Sequence, residues 1–147
     1  MRLVTSFLLL TLPPLWAQAT DEKDTVATVQ KVFDGMAARD AEAIRATMLS
    51  DARLYAVRED GTTVASSVDD FISRIGTIKG DLLERFTSKP TVSLRGRMAQ
   101  VWGEYEFLHD GKFSHCGVDS VSLFRRTEGW KIAAVAYTTE TTNCTPK

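Results

Sequence analysis

The dipeptide Asp110-Gly111 stands between two long stretches in which apolar and polar residues largely alternate, residues 98–108 and 112–126. Asp-Gly tolerates the positive φ values of a type I′ turn, and flanking period-two stretches make it the strongest short-range hairpin signal a sequence can carry. A hairpin with arms this long cannot stand alone in water, so a sheet has to be assembled around it. From Gly80 onward the chain supplies one. Residues 82–88 and 91–94 read as short strands, Gly96 marks a turn, and residues 130–139 form a last strand after Thr127-Glu128-Gly129. That triplet suits a three-residue loop with glycine in the left-handed position.

The first half has a different period. Val29, Val32, Phe33 and Met36 recur at helical spacing, and Gly35 with Asp40 separates them from a second short helix bearing Ala41, Ile44 and Met48. A strand over residues 54–57 leads through Asp60-Gly61 into residues 62–65. Ser67-Val68-Asp69-Asp70 has the spacing of a capping box and opens a third helix through Phe71, Ile72 and Ile75. Helices first and an antiparallel meander afterwards define an α+β domain.

The hairpins also set which side chains meet. A two-residue loop at Asp110-Gly111 puts His109 opposite Lys112, so regular pairing sets Glu106 against His115, Glu104 against Gly117 and Trp102 against Asp119. With Arg126 opposite Trp130, Asp119 also meets Tyr137. One face then carries Trp102, Glu104, Glu106, His115, Asp119 and Tyr137, and the other Val101, Gly103, Tyr105, Cys116 and Val118. The polar and aromatic face is the candidate pocket, since a histidine beside a carboxylate and an aspartate between aromatics suit general acid/base chemistry. His115 and Asp119, four residues apart on one strand, are separated by roughly 13 Å and form no direct dyad. The same face reads equally as the wet side of the sheet or as an interface.

The N-terminus resembles a secretory leader: Arg2, an apolar stretch over residues 3–12, and the small-x-small triplet Ala17-Gln18-Ala19, with cleavage expected after Ala19. The apolar stretch is far short of the roughly 18 to 20 residues of a membrane span. The expectation is therefore residues 1–19 as a signal peptide, residues 20–147 as one domain, and a periplasmic or secreted product with no membrane partner. Cleavage removes Arg2 from the 18 basic residues and none of the 19 acidic ones, which moves the net charge from −1 to about −2. Nucleic acid is not an expected partner for such a chain. Export also places Cys116 and Cys144 where disulfides persist, and we expect them to pair. Regular pairing puts Cys116 opposite Glu140, so the tail has to turn back after residue 139 or 140 for Cys144 to reach it. With only two histidines, no metal site or cofactor is expected.

The order of elements, and above all the run Val101-Trp102-Gly103-Glu104-Tyr105-Glu106-Phe107 through Gly111 to Asp119 and on to Gly129-Trp130-Lys131-Ile132, resembles the NTF2-like superfamily. It is most similar to the exported SnoaL-like branch, also labelled "putative lumazine-binding". The resemblance covers essentially the whole chain after residue 19. It implies a strongly curved antiparallel sheet wrapped by helices into a cone with an internal pocket, and a homodimer formed through the outer sheet face. Superfamily members include ketosteroid isomerases, polyketide cyclases, dehydratases and non-catalytic domains, so membership selects no reaction. The ketosteroid isomerase pattern has a tyrosine on its first helix. This first helix carries none, and no catalytic residue is carried over.

Three functions follow as expectations. The first is an exported domain that holds a small apolar molecule in its cone, the second a cofactor-free acid/base enzyme (isomerase, cyclase or dehydratase) using Asp119 or His115. The third is a structural or interaction domain working through an exposed sheet face.

Overall fold

The computed structural model describes residues 15–142 and Cys144. Of the expected leader, residues 1–14 lie outside that range, and residues 15–19 belong to the first helix. The elements are α1 (Leu15–Ala38), α2 (Ala41–Thr47), β1 (Met48–Arg58), β2 (Thr63–Ser67), α3 (Val68–Thr77), β3 (Leu82–Phe86), β4 (Thr91–Arg95), β5 (Met98–His109), β6 (Lys112–Arg126) and β7 (Gly129–Thr139). The α+β class and the three helices agree with the sequence reading, but α2 ends before Met48, which opens β1, and β1 runs well beyond the expected residues 54–57.

Each helix is set by local chemistry. Val29, Val32, Phe33 and Met36 bury one side of α1 against the sheet. Gly35 does not stop α1 as its composition suggested. It lets α2 approach, since a Cβ there would lie 2.8 Å from Ile44 Cγ1. The chain breaks four residues later at Arg39, which adopts φ 57°, and Asp40 caps α2 by accepting from the Ala43 N–H at 2.9 Å. The Ser67 and Asp70 side chains and backbones form the reciprocal capping box that starts α3.

The sheet is curved and unclosed, and its order is β2-β1-β7-β6-β5-β3, with β4 sharing the outer edge of β5 with β3. It is mixed rather than wholly antiparallel, because β1 runs parallel to β7, with Leu54 beside Val135 and Ala56 beside Tyr137. Local patterning detects hairpin neighbours and is blind to strands joined across most of the chain. The core lies on the concave face, where Val101, Leu123 and Ile132 retain at most 1 % of their surface. Each such side chain contributes on the order of 1.5 to 3 kcal/mol relative to exposure.

Both hairpins depart from regular pairing, with opposite consequences. At Asp110-Gly111 the expected turn forms, with φ 51° and 70°, and His109 does oppose Lys112. Leu108 then pairs with Phe113 but Phe107 pairs with His115, so Ser114 is an extra, bulged residue. Every later partner shifts by one: Glu106 meets Cys116, Glu104 meets Val118, Gly103 meets Asp119 and Trp102 meets Ser120. The expected pairs Glu106 with His115, Glu104 with Gly117 and Trp102 with Asp119 are therefore incorrect. A single inserted residue exchanges the faces of everything beyond it. The β6–β7 loop is also one residue shorter than expected, with Arg126 opposite Gly129. An irregularity at Ala133 restores the count, so Asp119 does meet Tyr137 and Cys116 does meet Glu140.

The tail behaves as the cysteine spacing demanded. β7 ends at Thr139, Glu140 bridges to Cys116, and the chain bends at Thr141 and Thr142. Cys116 and Cys144 form the disulfide with their Cα atoms 5.7 Å apart. Glu59, just after β1, holds the bend by accepting from the hydroxyls of Thr141 and Thr142.

Candidate ligand cavity

The concave face, α1 and α3 enclose a cavity of ≈ 350 Å³. Its walls are apolar: Phe33 and Met36 from α1, Phe71 and Ile75 from α3, and Phe107 and Val121 from the sheet. Two glycines let the sheet fold this tightly. A Cβ on Gly103 would come within 2.6 Å of the Phe86 ring, and one on Gly117 within 2.1 Å of the Thr138 carbonyl oxygen. That carbonyl accepts from the Tyr105 hydroxyl at 2.7 Å, while the Val118 N–H donates to the Thr138 hydroxyl at 3.0 Å.

Polar groups converge on this apolar shell from four elements. Glu84 comes from β3, Tyr105 from β5, Asp119 and His115 from β6, and Tyr137 from β7. Asp119 is 4 % exposed, and its Oδ2 has no hydrogen-bond partner among the described residues while both groups are ionised. Glu84 keeps some accessible surface, and that surface opens onto the cavity. The two carboxyls lie within reach of a shared hydrogen bond, which requires a proton on one of them. Burial pushes Asp119 up to about 7, and burial together with the neighbouring Asp119 charge pushes Glu84 well above the usual carboxylate range. The pair titrates as a unit and retains at least one proton through the acid to neutral range.

The surrounding groups are tuned by the same burial. The Tyr105 phenol is raised, first by desolvation and then by the two carboxyls. Tyr137 is raised by desolvation, and its oxygen accepts from Arg74 at 3.2 Å. Desolvation lowers His115, which stacks on Phe107 with ring centres 4.7 Å apart and has Nδ1 3.1 Å from the Ser114 hydroxyl. It is therefore neutral near pH 7. Among the described residues no group of three or more His, Cys, Asp or Glu side chains is placed to hold a metal ion.

The expected pocket set is split by the bulge. His115, Asp119 and Tyr137 line the cavity, whereas Trp102, Glu104 and Glu106 lie on the convex face. There Trp102 is 52 % exposed and Glu106 pairs with Arg85 at 2.6 Å. Tyr105, assigned to the other face, belongs to the cavity. Glu84 and Arg74 were missed. Glu84 had a signal: it sits at the same parity as Leu82 and Phe86, a charge in the apolar row of a strand. Arg74 likewise follows Phe71 by three residues on the apolar side of α3.

A cone of this kind, with helices over a curved mixed sheet and polar groups at the floor of an apolar cavity, defines an NTF2-like domain. The family model described as "Putative lumazine-binding" matches residues 20–138, and the chain belongs to that family. Solved structures share the fold at low identity. An NTF2-like protein of unknown function from Shewanella baltica is 14 % identical, with TM-score 0.67 over 88 % of this chain and 100 % of that one. A "putative dehydratase from the NTF2-like family" from Streptomyces avermitilis is 17 % identical, with TM-score 0.68 over 84 % and 99 %. The Kfla4162 protein of Kribbella flavida is 13 % identical, with TM-score 0.71 over 84 % and 93 %. No curated protein matches the chain.

Proposed function

We propose that this domain binds a small, mostly apolar molecule in its cone, with the molecule's polar end at the Glu84–Asp119 floor. The observation that carries this reading is the ≈ 350 Å³ apolar cavity ending in a few convergent polar groups, the usual anatomy of a small-molecule site. The family description points the same way. Native mass spectrometry of protein from its source should find a retained ligand, and filling the cavity by Ile75→Trp should abolish it. Retention of the same mass by the filled variant would sink the reading.

A second reading is acid/base catalysis by the carboxyl pair, and the specific support is Asp119 held near neutrality, where a group both takes and gives protons efficiently. Turnover separates the two, since an enzyme loses it in Asp119→Asn whereas a binding domain turns over nothing in either form.

The disulfide agrees with an oxidising compartment, and among the described residues no helix is long and apolar enough to cross a membrane. We further propose export behind the leader, so that N-terminal sequencing of mature protein reads from Thr20; a chain retaining Met1 would refute it. Met98, Trp102 and Phe124, 59, 52 and 38 % exposed on the convex face, support a homodimer there, which sedimentation tests directly.

A further inference from the structure

We propose that the molecule bound in the cone carries a protonated amine on an aromatic or apolar body, and that its ammonium sits between Glu84 and Asp119. The inference rests on the cavity-binding reading and names the chemistry the floor selects.

The floor is rich in acceptors and poor in cations. Asp119 is nine-tenths buried, its Oδ2 has no donor among the described residues apart from a proton shared with Glu84, and neither carboxyl belongs to any ion pair among them. The donors nearby are already directed elsewhere. Tyr105 gives its proton to the Thr138 carbonyl, and Arg74, which also lines the cavity, donates to Tyr137 and lies over the Phe71 ring with Cζ 5.6 Å from its centre. His115 and His109 also line the cavity, the first neutral and the second engaged with the Lys79 carbonyl at 2.5 Å. A neutral carbonyl ligand would have to take the proton that the two carboxyls share, and an anion would meet the carboxyl charge. An ammonium supplies the donors and the charge that two buried carboxyls lack. The walls suit its body, because Phe33, Tyr105 and Phe107 present ring surface to an aromatic group or to the cation itself.

Binding should also move a proton. The empty pair holds at least one proton between two carboxyls, and an ammonium between them displaces it to solvent. Net charge is conserved: a pair with one negative charge and a cationic ligand become two carboxylates around one cation plus a released proton.

The test uses the whole exported domain and three matched probes, 2-(2-naphthyl)ethylamine, 2-(2-naphthyl)ethanol and 3-(2-naphthyl)propionate, titrated by calorimetry in phosphate and in Tris at pH 7. The amine should bind at least about tenfold more tightly than the alcohol, the equivalent of about one pKa unit of charge interaction. Its apparent enthalpy should differ between the buffers in the sense of proton release. In Glu84→Gln/Asp119→Asn the preference should vanish while the alcohol still binds. The proposal is overturned if the alcohol or the acid binds as well as the amine, if the amine takes up protons, or if the double variant keeps the preference. Equal binding of amine and alcohol, lost in Ile75→Trp, would leave the cavity reading standing and remove only the amine. If none of the three binds, both fall. The proton measurement needs only the unaltered protein, so misfolding of the double variant does not rescue the proposal.

Discussion

Asp119 is a buried carboxyl with no cation paired to it among the described residues, and that burial opposes its charge. Its folded pKa of about 7 lies above the unfolded value of about 4, so between those limits the native state holds a proton that the unfolded chain has released. Stability from this group is complete below about pH 4 and is lost as pH rises towards 7. Asp119→Asn should therefore stabilise the domain at pH 8 by on the order of a few kcal/mol and change little at pH 4, as read by urea unfolding at both values. His115 acts in the opposite sense, since a histidine lowered by burial costs stability as pH falls below 6.5. The difference between the wild type and Asp119→Asn cancels the His115 contribution and reports the coupled carboxyl pair. Gly117 makes a second test at this scale. A methyl group there meets the Thr138 backbone carbonyl, which cannot rotate away, whereas one at Gly103 meets the end of the Phe86 side chain. Gly117→Ala should cost about 3 kcal/mol or more, and Gly103→Ala less, in the same denaturation assay.

Among the elements, β6 decides which residues see the cavity. Its length and both ends were readable from Asp110-Gly111 and from the alternation down to Arg126, yet its facing was not. The residues around Ser114 are Phe113, Ser114 and His115, and no glycine or proline there announces a bulge. Trp102, Glu104 and Glu106 were consequently grouped with His115 and Asp119, from which the sheet separates them. Deleting Ser114 should regularise the hairpin without moving Asp119 off the concave face, because His115 already pairs with Phe107. The shortened protein should unfold cooperatively with a loss of no more than about 1 to 2 kcal/mol and keep its ligand. Loss of binding in a folded deletion variant would show that the bulge itself aims a cavity side chain.

For the molecule as a whole, the disulfide and the Glu59 contacts fasten the tail to the sheet after β7 has ended. The cysteines are 28 residues apart, and in the chain-entropy model closing such a loop is worth about 3 to 4 kcal/mol. For a domain of this length reduction should lower Tm by roughly 10 to 15 °C in calorimetry. The tie lies on the convex side, where Cys116 faces away from the cavity, so the reduced protein should retain its ligand below the new transition.

Unaided, the order of residues determined the helix break before Ala41, the capping box at Ser67, the turn at Asp110-Gly111, the extents of β5, β6 and β7 to within a residue and the pairing of the two cysteines. Each of these depends on neighbours a few residues apart, or on chain length and compartment. Only the tertiary structure decided that β1 joins β7 in parallel, that Ser114 is bulged, and that Glu84 from β3 meets Asp119 from β6 across Tyr105. Those outcomes depend on how far the sheet curves and on a register error of one residue, and both follow from packing of the whole concave face, which no local pattern records.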